Sequence, residues 1–162
     1  MTDLKKLGLV IADSDEYVHI EKALSEYLVP CDVCGLMGHK AVLPTANGKV
    51  ELRIICSGIG KVNAAIAATL IANECDVIVN AGLSGGFGDV KKYDLVVGTL
   101  FYEHDFDLTA IGYKPSQKPG QTEILSADKG LIDDILVKFP FVKAGAFVTG
   151  DSFIWDKNKH DA

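Results

Sequence analysis

Two glycine-rich segments and one acidic side chain mark where this sequence can do chemistry. Residues 57–61 (SGIGK) and 82–88 (GLSGGFG) each follow an apolar run of strand length. Glycines in such a place let a ligand approach the backbone closely, although those of 57–61 can instead serve only a tight turn from strand to helix. Glu16 falls in the first turn of a predicted helix behind another such run, so its carboxylate can face the same ligand. An acid at that position can instead do no more than complement the helix dipole.

The elements that must position these residues follow from hydrophobic periodicity. Tyr17, Ile20, Leu24 and Leu28 recur at three- and four-residue steps, which predicts a helix capped by Asp13 or Ser14 and ending before Pro30. Asn47-Gly48 predicts a hairpin, and Ser126 is the predicted cap of the last helix. The remaining pattern predicts strands at 7–12, 33–37, 40–43, 50–56, 77–81, 95–101 and 141–149, and helices at 62–73 and 126–139.

This alternation of strands and helices predicts the fold class and the location of the site. We expect an α/β fold of three layers with a central mixed β-sheet, formed by residues 1–162 as a single domain. In such sheets ligands bind outside the carboxyl ends of the strands. The segments 12–16, 57–60, 82–88 and 150–154 should therefore converge on one crevice.

Composition excludes several classes of protein. The 162 residues carry 22 acids against 16 bases, for a net charge of −6, and Arg53 is the only arginine. No basic stripe for nucleic acid is present, and no apolar run approaches the ~20 residues of a membrane span. The N-terminus does not resemble a signal peptide. We expect a cytoplasmic protein whose four cysteines are reduced packing residues.

The nucleotide and metal motifs fail on inspection. A P-loop needs glycine at position 55 and Ser or Thr at position 62, where Ile55 and Val62 stand. A dinucleotide fingerprint needs glycine at position 63, which is Asn63. Residues 104–107 (HDFD) lack the helical spacing that fixes metal ligands and are interpreted as a solvated loop. The sequence therefore predicts no cofactor and no metal.

Five segments together resemble a known family. They are 7–16 (LGLVIADSDE), 57–65 (SGIGKVNAA), 77–86 (VIVNAGLSGG), 104–113 (HDFDLTAIGY) and 149–154 (TGDSFI). In this order they are similar to the 5′-methylthioadenosine/S-adenosylhomocysteine nucleosidases of the purine nucleoside phosphorylase superfamily. The resemblance implies a purine nucleoside phosphorylase-like fold and hydrolysis of the N-glycosidic bond of a thioadenosine nucleoside, with release of adenine, in methionine salvage.

The resemblance also implies roles for individual residues. Glu16 corresponds to the water-activating glutamate, Phe153 would stack on adenine, and the backbone at Ile154 would read the edge of the base. A neighbouring subunit would close the alkylthio pocket, which implies a homodimer. The residues implied around the ribose and its 5′ substituent are Ala12, Asp13, Ile59, Leu83, Ser84 and Gly85, and those implied across the dimer interface are Leu108, Ile111 and Pro119.

Two departures from the family pattern keep alternatives open. Leu83 stands where hydrolytic relatives often carry a small polar residue. The family's ribose-binding Met-Glu pair and its purine-protonating aspartate would lie beyond residue 162, so we expect the chain to be incomplete at its C-terminus. A nucleoside-binding module without catalysis and a phosphate-dependent phosphorylase are the alternatives. Hydrolysis is preferred because arginine suits a phosphate dianion best and Arg53 lies in the middle of a strand.

Overall fold

The computed structural model describes residues 5–121 and 124–154. The chain divides into two units, Met1–Ser84 and Gly85–Ala162, and each contains a mixed sheet with at least one helix. The α/β fold class is therefore confirmed. That residues 1–162 form one domain stays a prediction. Among the helices of the described residues, none has the length and apolar character needed to cross a membrane.

The first unit is a five-stranded sheet with two helices. Its strands stand in the order β2-β3-β4-β1-β5. Strand β1 is parallel to both of its neighbours, β4 and β5, whereas β3 is antiparallel to β2 and β4. The elements are β1 (Lys5–Ile11), α1 (Ser14–Ala23), β2 (Val29–Val33), β3 (Leu36–Thr45), β4 (Gly48–Cys56), α2 (Lys61–Ala72) and β5 (Val77–Asn80).

The two helices cover opposite faces of this sheet. Ile11 of β1 packs in a buried cluster with Tyr17 of α1. Its neighbour Val10 packs in a second cluster with Ala67 and Ile71 of α2. Successive side chains of a strand point to opposite faces, so the two clusters lie on the two sides of the sheet. The predicted arrangement of three layers around a central mixed sheet is confirmed for this unit.

The structure corrects the predicted elements between α1 and β3. Residues 33–37 do not form one strand, because Cys34 and Gly35 have φ values of 52° and 86° and make the turn of a β2–β3 hairpin. Two successive positive φ angles are the geometry that fits the twist of paired strands. The Asp32 carboxylate accepts a hydrogen bond from the Gly35 N–H at 3.1 Å, which supports the turn. The Asn47-Gly48 hairpin is confirmed.

The second unit has a three-stranded sheet in the order β7-β6-β8. Strand β6 is parallel to β8 and antiparallel to β7. Its elements are β6 (Val96–Glu103), a short 3-10 helix (Thr109–Ile111), β7 (Leu125–Ser126), α3 (Lys129–Lys138) and β8 (Lys143–Thr149).

The N-cap predicted for the last helix is wrong. Ser126 belongs to β7 and pairs with Leu100 of β6, which keeps the backbone extended at that point. The cap is Asp128, whose carboxylate accepts from the Leu131 N–H at 2.8 Å. Serine and aspartate cap helices about equally well, so strand pairing decided between them.

A chain of polar contacts joins α1 to β3, buried at Tyr17 and His39 and half-exposed at Glu21. The Tyr17 hydroxyl lies 2.7 Å from His39 Nδ1, and His39 Nε2 lies 3.3 Å from Glu21 Oε1. A neutral imidazole with its proton on Nε2 donates a hydrogen bond to the carboxylate and accepts one from the Tyr17 hydroxyl at Nδ1. Burial raises the pKa of the Tyr17 phenol, and the negative charge of Glu21 raises it further. The chain therefore favours protonated Tyr17.

This raised pKa predicts loss of stability at alkaline pH. The folded chain keeps the Tyr17 proton to higher pH than the unfolded chain, so the stabilisation is complete below about pH 10 and declines above it. The free energy of unfolding is measured by urea titration between about pH 9 and pH 11.5. It should fall with pH more steeply for the native protein than for Tyr17→Phe, with a difference in slope of up to about 1.4 kcal/mol per pH unit. Tyr27→Phe, at an exposed tyrosine, should keep the native slope. Parallel profiles for the native protein and Tyr17→Phe would contradict the prediction.

Candidate active site

A cleft in the first unit lies where β1 and β5 end and α1 begins. Its volume is about 510 Å³, which is within the usual size of small-molecule sites. Parallel pairing brings its walls together, because the Ala81 N–H donates to Val10 O at 3.1 Å and the Ser57 N–H donates to Ile11 O at 2.8 Å. The lining residues are Ile11, Asp13, Asp15, Glu16, His19, Ile20, Ala81, Gly82 and Leu83.

Glu16 faces the loop that follows β5. Its Oε1 accepts a hydrogen bond from the Leu83 N–H at 2.7 Å. Its Oε2 lies so close to Gly82 that a Cβ added there would be 2.6 Å away. The side chain thus has a partner in the cleft besides any interaction with the helix dipole. The carboxylate is fixed by backbone 67 residues away in the sequence.

The start of α1 makes the cleft acidic. Asp13, one of the two predicted caps, is the N-cap of α1, and its carboxylate accepts a hydrogen bond from the Asp15 N–H at 2.8 Å. Asp15 and Glu16 lie in the first turn, where the helix dipole favours negative charge. Three carboxylates therefore line one cleft. Such a site suits a substrate that develops positive charge and disfavours an anion.

His19 is the titratable side chain in the lining that the sequence does not predict, and the apolar residues Ile11, Ile20 and Ala81 also line the cleft without having been predicted. The sequence offered His19 no partner at metal-ligand spacing, so it was not selected as a site residue. In the structure it is exposed and lines the same cleft as Glu16. The signal that would have found it is its spacing, because residues three apart share a helix face.

The cleft collects some of the predicted residues of the first unit. Asp13, Glu16 and Leu83 line it, with Leu83 90% exposed. Three predicted residues do not line the cleft: Ala12, Ile59 and Ser84. Ala12 stands between two lining residues in the sequence, and Ile59, in the loop before α2, is 73% exposed.

The remaining predicted residues lie in the second unit. Phe153 is 89% exposed and, with Ile154, follows β8. Ile111 ends the short 3-10 helix and is 69% exposed. That these residues join Glu16 in one site stays a prediction, as it does for Gly85, Leu108 and Pro119.

The described residues offer no obvious metal site. Across residues 5–121 and 124–154, no three His, Cys, Asp or Glu side chains are grouped so that they could hold a metal ion. Asp105 and Asp107 of the 104–107 segment instead accept hydrogen bonds from backbone N–H groups. The Asp105 carboxylate accepts from the Asp151 N–H at 2.8 Å, and that of Asp107 accepts from the Thr109 N–H at 2.7 Å.

Comparison with known sequences identifies the family. The model of the phosphorylase superfamily matches residues 6–162. The 5′-methylthioadenosine/S-adenosylhomocysteine nucleosidase of an Exiguobacterium species is 36% identical in an alignment that covers 95% of this chain and 67% of the relative. The enzyme of the same name from Shewanella loihica is 32% identical, with 95% and 68% covered. The chain thus spans about two thirds of the length of these relatives.

Solved structures show the same fold. A putative nucleosidase of this family from Francisella philomiragia superposes with a TM-score of 0.86 at 25% identity, over 98% of this chain and 70% of that one. The S. pneumoniae nucleosidase, solved with the transition-state inhibitor MT-ImmA, gives 0.85 at 25% identity, over 96% and 69%. Futalosine hydrolase of Helicobacter pylori gives 0.86 at 23% identity, over 98% and 69%. By the sequence matches, the chain belongs to the phosphorylase superfamily and, within it, to the family of 5′-methylthioadenosine/S-adenosylhomocysteine nucleosidases.

Proposed function

We propose that the complete protein is a nucleosidase that hydrolyses the N-glycosidic bond of 5′-methylthioadenosine, S-adenosylhomocysteine or both, and releases adenine. The observation that carries this proposal is the Glu16 carboxylate, held at the cleft by the Leu83 N–H at 2.7 Å. The names of the relatives agree with it. The resemblance assigns the ribose grip and the protonation of the purine to parts of the family beyond the stretch that this chain spans.

The proposed step uses both oxygens of Glu16. The Leu83 N–H fixes Oε1, and Oε2 takes a proton from the attacking water. As the bond from the sugar to the base breaks, the sugar gains positive charge, and the acids of the cleft offset that charge. General base catalysis of this kind contributes roughly 10² to 10⁴ in rate. The oxygen of water bonds to the anomeric carbon, and the bond electrons leave with the purine. The purine takes up a proton to become adenine, and the carboxylic acid formed at Glu16 returns its proton to solvent.

Charge supports water rather than phosphate as the nucleophile. Asp13, Asp15 and Glu16 line the cleft and would repel a phosphate dianion. Arg53, the sole arginine, pairs with Glu74 at 2.8 Å and is not among the residues that line the cleft. Across residues 5–121 and 124–154, no guanidinium therefore lies at the cleft to make the bidentate contacts that phosphate favours.

Further substrate contacts are proposed from the resemblance. Phe153 stacks on adenine, and the backbone at Ile154 reads its edge. Leu83 brings an apolar side chain to the ribose region, where hydrolytic relatives often have a small polar one, so the 5′ preference can differ from theirs. The other proposed ribose contacts are Ala12, Asp13, Ile59, Ser84 and Gly85.

We also propose a homodimer in the cytoplasm. Leu108, Ile111 and Pro119 would close the alkylthio pocket of the partner subunit, and the 69% exposure of Ile111 supports a role in contact. A reducing compartment suits the four cysteines, which are all free. A thioether nucleoside as substrate is consistent with a role in methionine salvage.

Glu16→Gln tests the base. The amide keeps an oxygen for the Leu83 N–H but cannot take a proton, so kcat for adenine release from methylthioadenosine should fall about 10² to 10⁴-fold with an unchanged melting temperature. Glu26→Gln, at an exposed acid, should keep native turnover. Native turnover in Glu16→Gln removes Glu16 from its role.

The native protein distinguishes the alternatives in the same assay. Adenine affinity without any product would select a binding module. Strict dependence on phosphate, with release of a sugar 1-phosphate, would select a phosphorylase.

Gly82→Ala tests the placement of the carboxylate. The added methyl would lie 2.6 Å from Glu16 Oε2, so the carboxylate must move, and a shift of about 1 Å at a catalytic group can cost roughly 10²-fold in rate. We expect kcat to fall at least about 10-fold while circular dichroism stays native. Gly130→Ala on α3, where the nearest atom to the added Cβ is 3.4 Å away, is the matched control. A native kcat in Gly82→Ala would show that the position of Oε2 is not critical.

Ile111→Asp tests the dimer. A charge in an apolar contact between subunits should weaken it, so the variant should sediment as monomer where the native protein sediments as dimer. Its KM for methylthioadenosine should rise about 10-fold, equivalent to about 1.4 kcal/mol. Val137→Asp, at a residue 85% exposed on α3, controls for a surface charge. A native protein that sediments as monomer would overturn the dimer.

A further inference from the structure

The segment that carries Phe153 is held at its base by a neighbouring loop. Strands β6 and β8 are parallel and end side by side, with Glu103 opposite Thr149. The loop that follows β6 makes two hydrogen bonds to the end of β8 and the segment after it. The His104 N–H donates to Thr149 O at 3.0 Å, and the Asp151 N–H donates to Asp105 Oδ2 at 2.8 Å.

The His104 ring makes a third contact between this loop and the segment after β8. A Cβ added at Gly150 would fall on the ring, against its Nε2, Cε1 and Cδ2 atoms. The backbone at Gly150 therefore lies directly on the imidazole. Glycine is required here by the close approach of the ring, since the φ angle of Gly150 is not in the left-handed region.

Phe153 depends on this anchoring because its own side chain is little buried. The ring is 89% exposed, so packing does little to fix its position. The segment from Gly150 to Phe153 has no regular secondary structure. The backbone at Gly150 and Asp151 must therefore hold the ring in place. A segment that is already ordered in the free protein loses less conformational entropy when the ligand binds.

We propose that Asp105 and His104 are positioning residues that fix the 150–153 segment and thereby set the affinity of the site for adenine. This rests on the proposed function, in which Phe153 stacks on the base. The acid and the imidazole interpreted from sequence as a solvated loop thus have a role in base binding through the backbone that they hold.

Asp107 supplies a matched control on the same loop. Its carboxylate accepts from the Thr109 N–H at 2.7 Å, at the start of the short 3-10 helix. The bond resembles that of Asp105 in type and length but holds a different segment. Loss of the Asp107 carboxylate should loosen the loop without releasing Asp151.

Calorimetric titration with adenine tests the proposal. Asp105→Ala should weaken adenine binding about 10-fold, equivalent to about 1.4 kcal/mol, and raise KM for methylthioadenosine with little change in kcat. Asp105→Asn, whose amide oxygen can accept from the Asp151 N–H, should restore most of the affinity. Asp107→Ala should bind adenine as the native protein does.

A second pair of variants tests the His104 contact. Gly150→Ala should weaken adenine binding, because its methyl displaces the segment from the imidazole. Adding His104→Ala makes room for the methyl and should recover part of the lost affinity, whereas a merely additive double variant would contradict the contact. If Asp105→Ala does not fold, this pair decides the proposal.

The outcomes separate this proposal from the proposed function. Native adenine affinity in folded Asp105→Ala overturns the positioning role while the nucleosidase assignment stands. A native protein that neither binds adenine nor cleaves the nucleoside overturns both.

Discussion

The hydrogen bond from the Leu83 N–H to Glu16 Oε1 is the interaction on which the candidate site depends. It connects the first turn of α1 to the loop after β5, across 67 residues of sequence. It can form because β1 pairs in parallel with β5, so that the strand ends meet at one edge. The absence of a side chain at Gly82 lets the carboxylate approach the backbone, since a Cβ there would lie 2.6 Å from Oε2.

Helix α1 must hold Glu16 at a fixed rotation for this bond to persist. Asp13 caps its first turn through the Asp15 N–H, and the pair formed by Tyr17 and Glu21 contacts His39 on β3. Tyr17 is 2% exposed, so this side of the helix is fixed in the core. Glu16 is thereby left on the side of the helix that lines the cleft. The orientation of α1 therefore determines both the burial of Tyr17 in the core and the direction of the Glu16 carboxylate toward the cleft.

The second unit repeats the same arrangement at another pair of strands. Parallel β6 and β8 end together, and hydrogen bonds join the loop after β6 to the last residue of β8 and to the segment that follows it. In both units an acidic side chain accepts from a backbone N–H of the loop after a neighbouring strand. Such bonds fix backbone where no regular structure does, which is what a loop must have if it is to bind a ligand with little loss of entropy.

The sequence by itself determined the α/β class, the Asn47-Gly48 hairpin and the Asp13 cap as one of two choices, because periodicity and turn chemistry are local signals. It also made Glu16 the candidate base, through the resemblance carried by the order of five segments. Tertiary structure decided the turn at Cys34 and Gly35, the cap at Asp128, the partner of Glu16, and the place of His19 and Asp105. Cysteine has no special preference for positive φ, and serine caps helices as well as aspartate does, so strand pairing chose in both cases. Contacts such as that from Leu83 to Glu16 join residues far apart in the chain, and no local pattern encodes them.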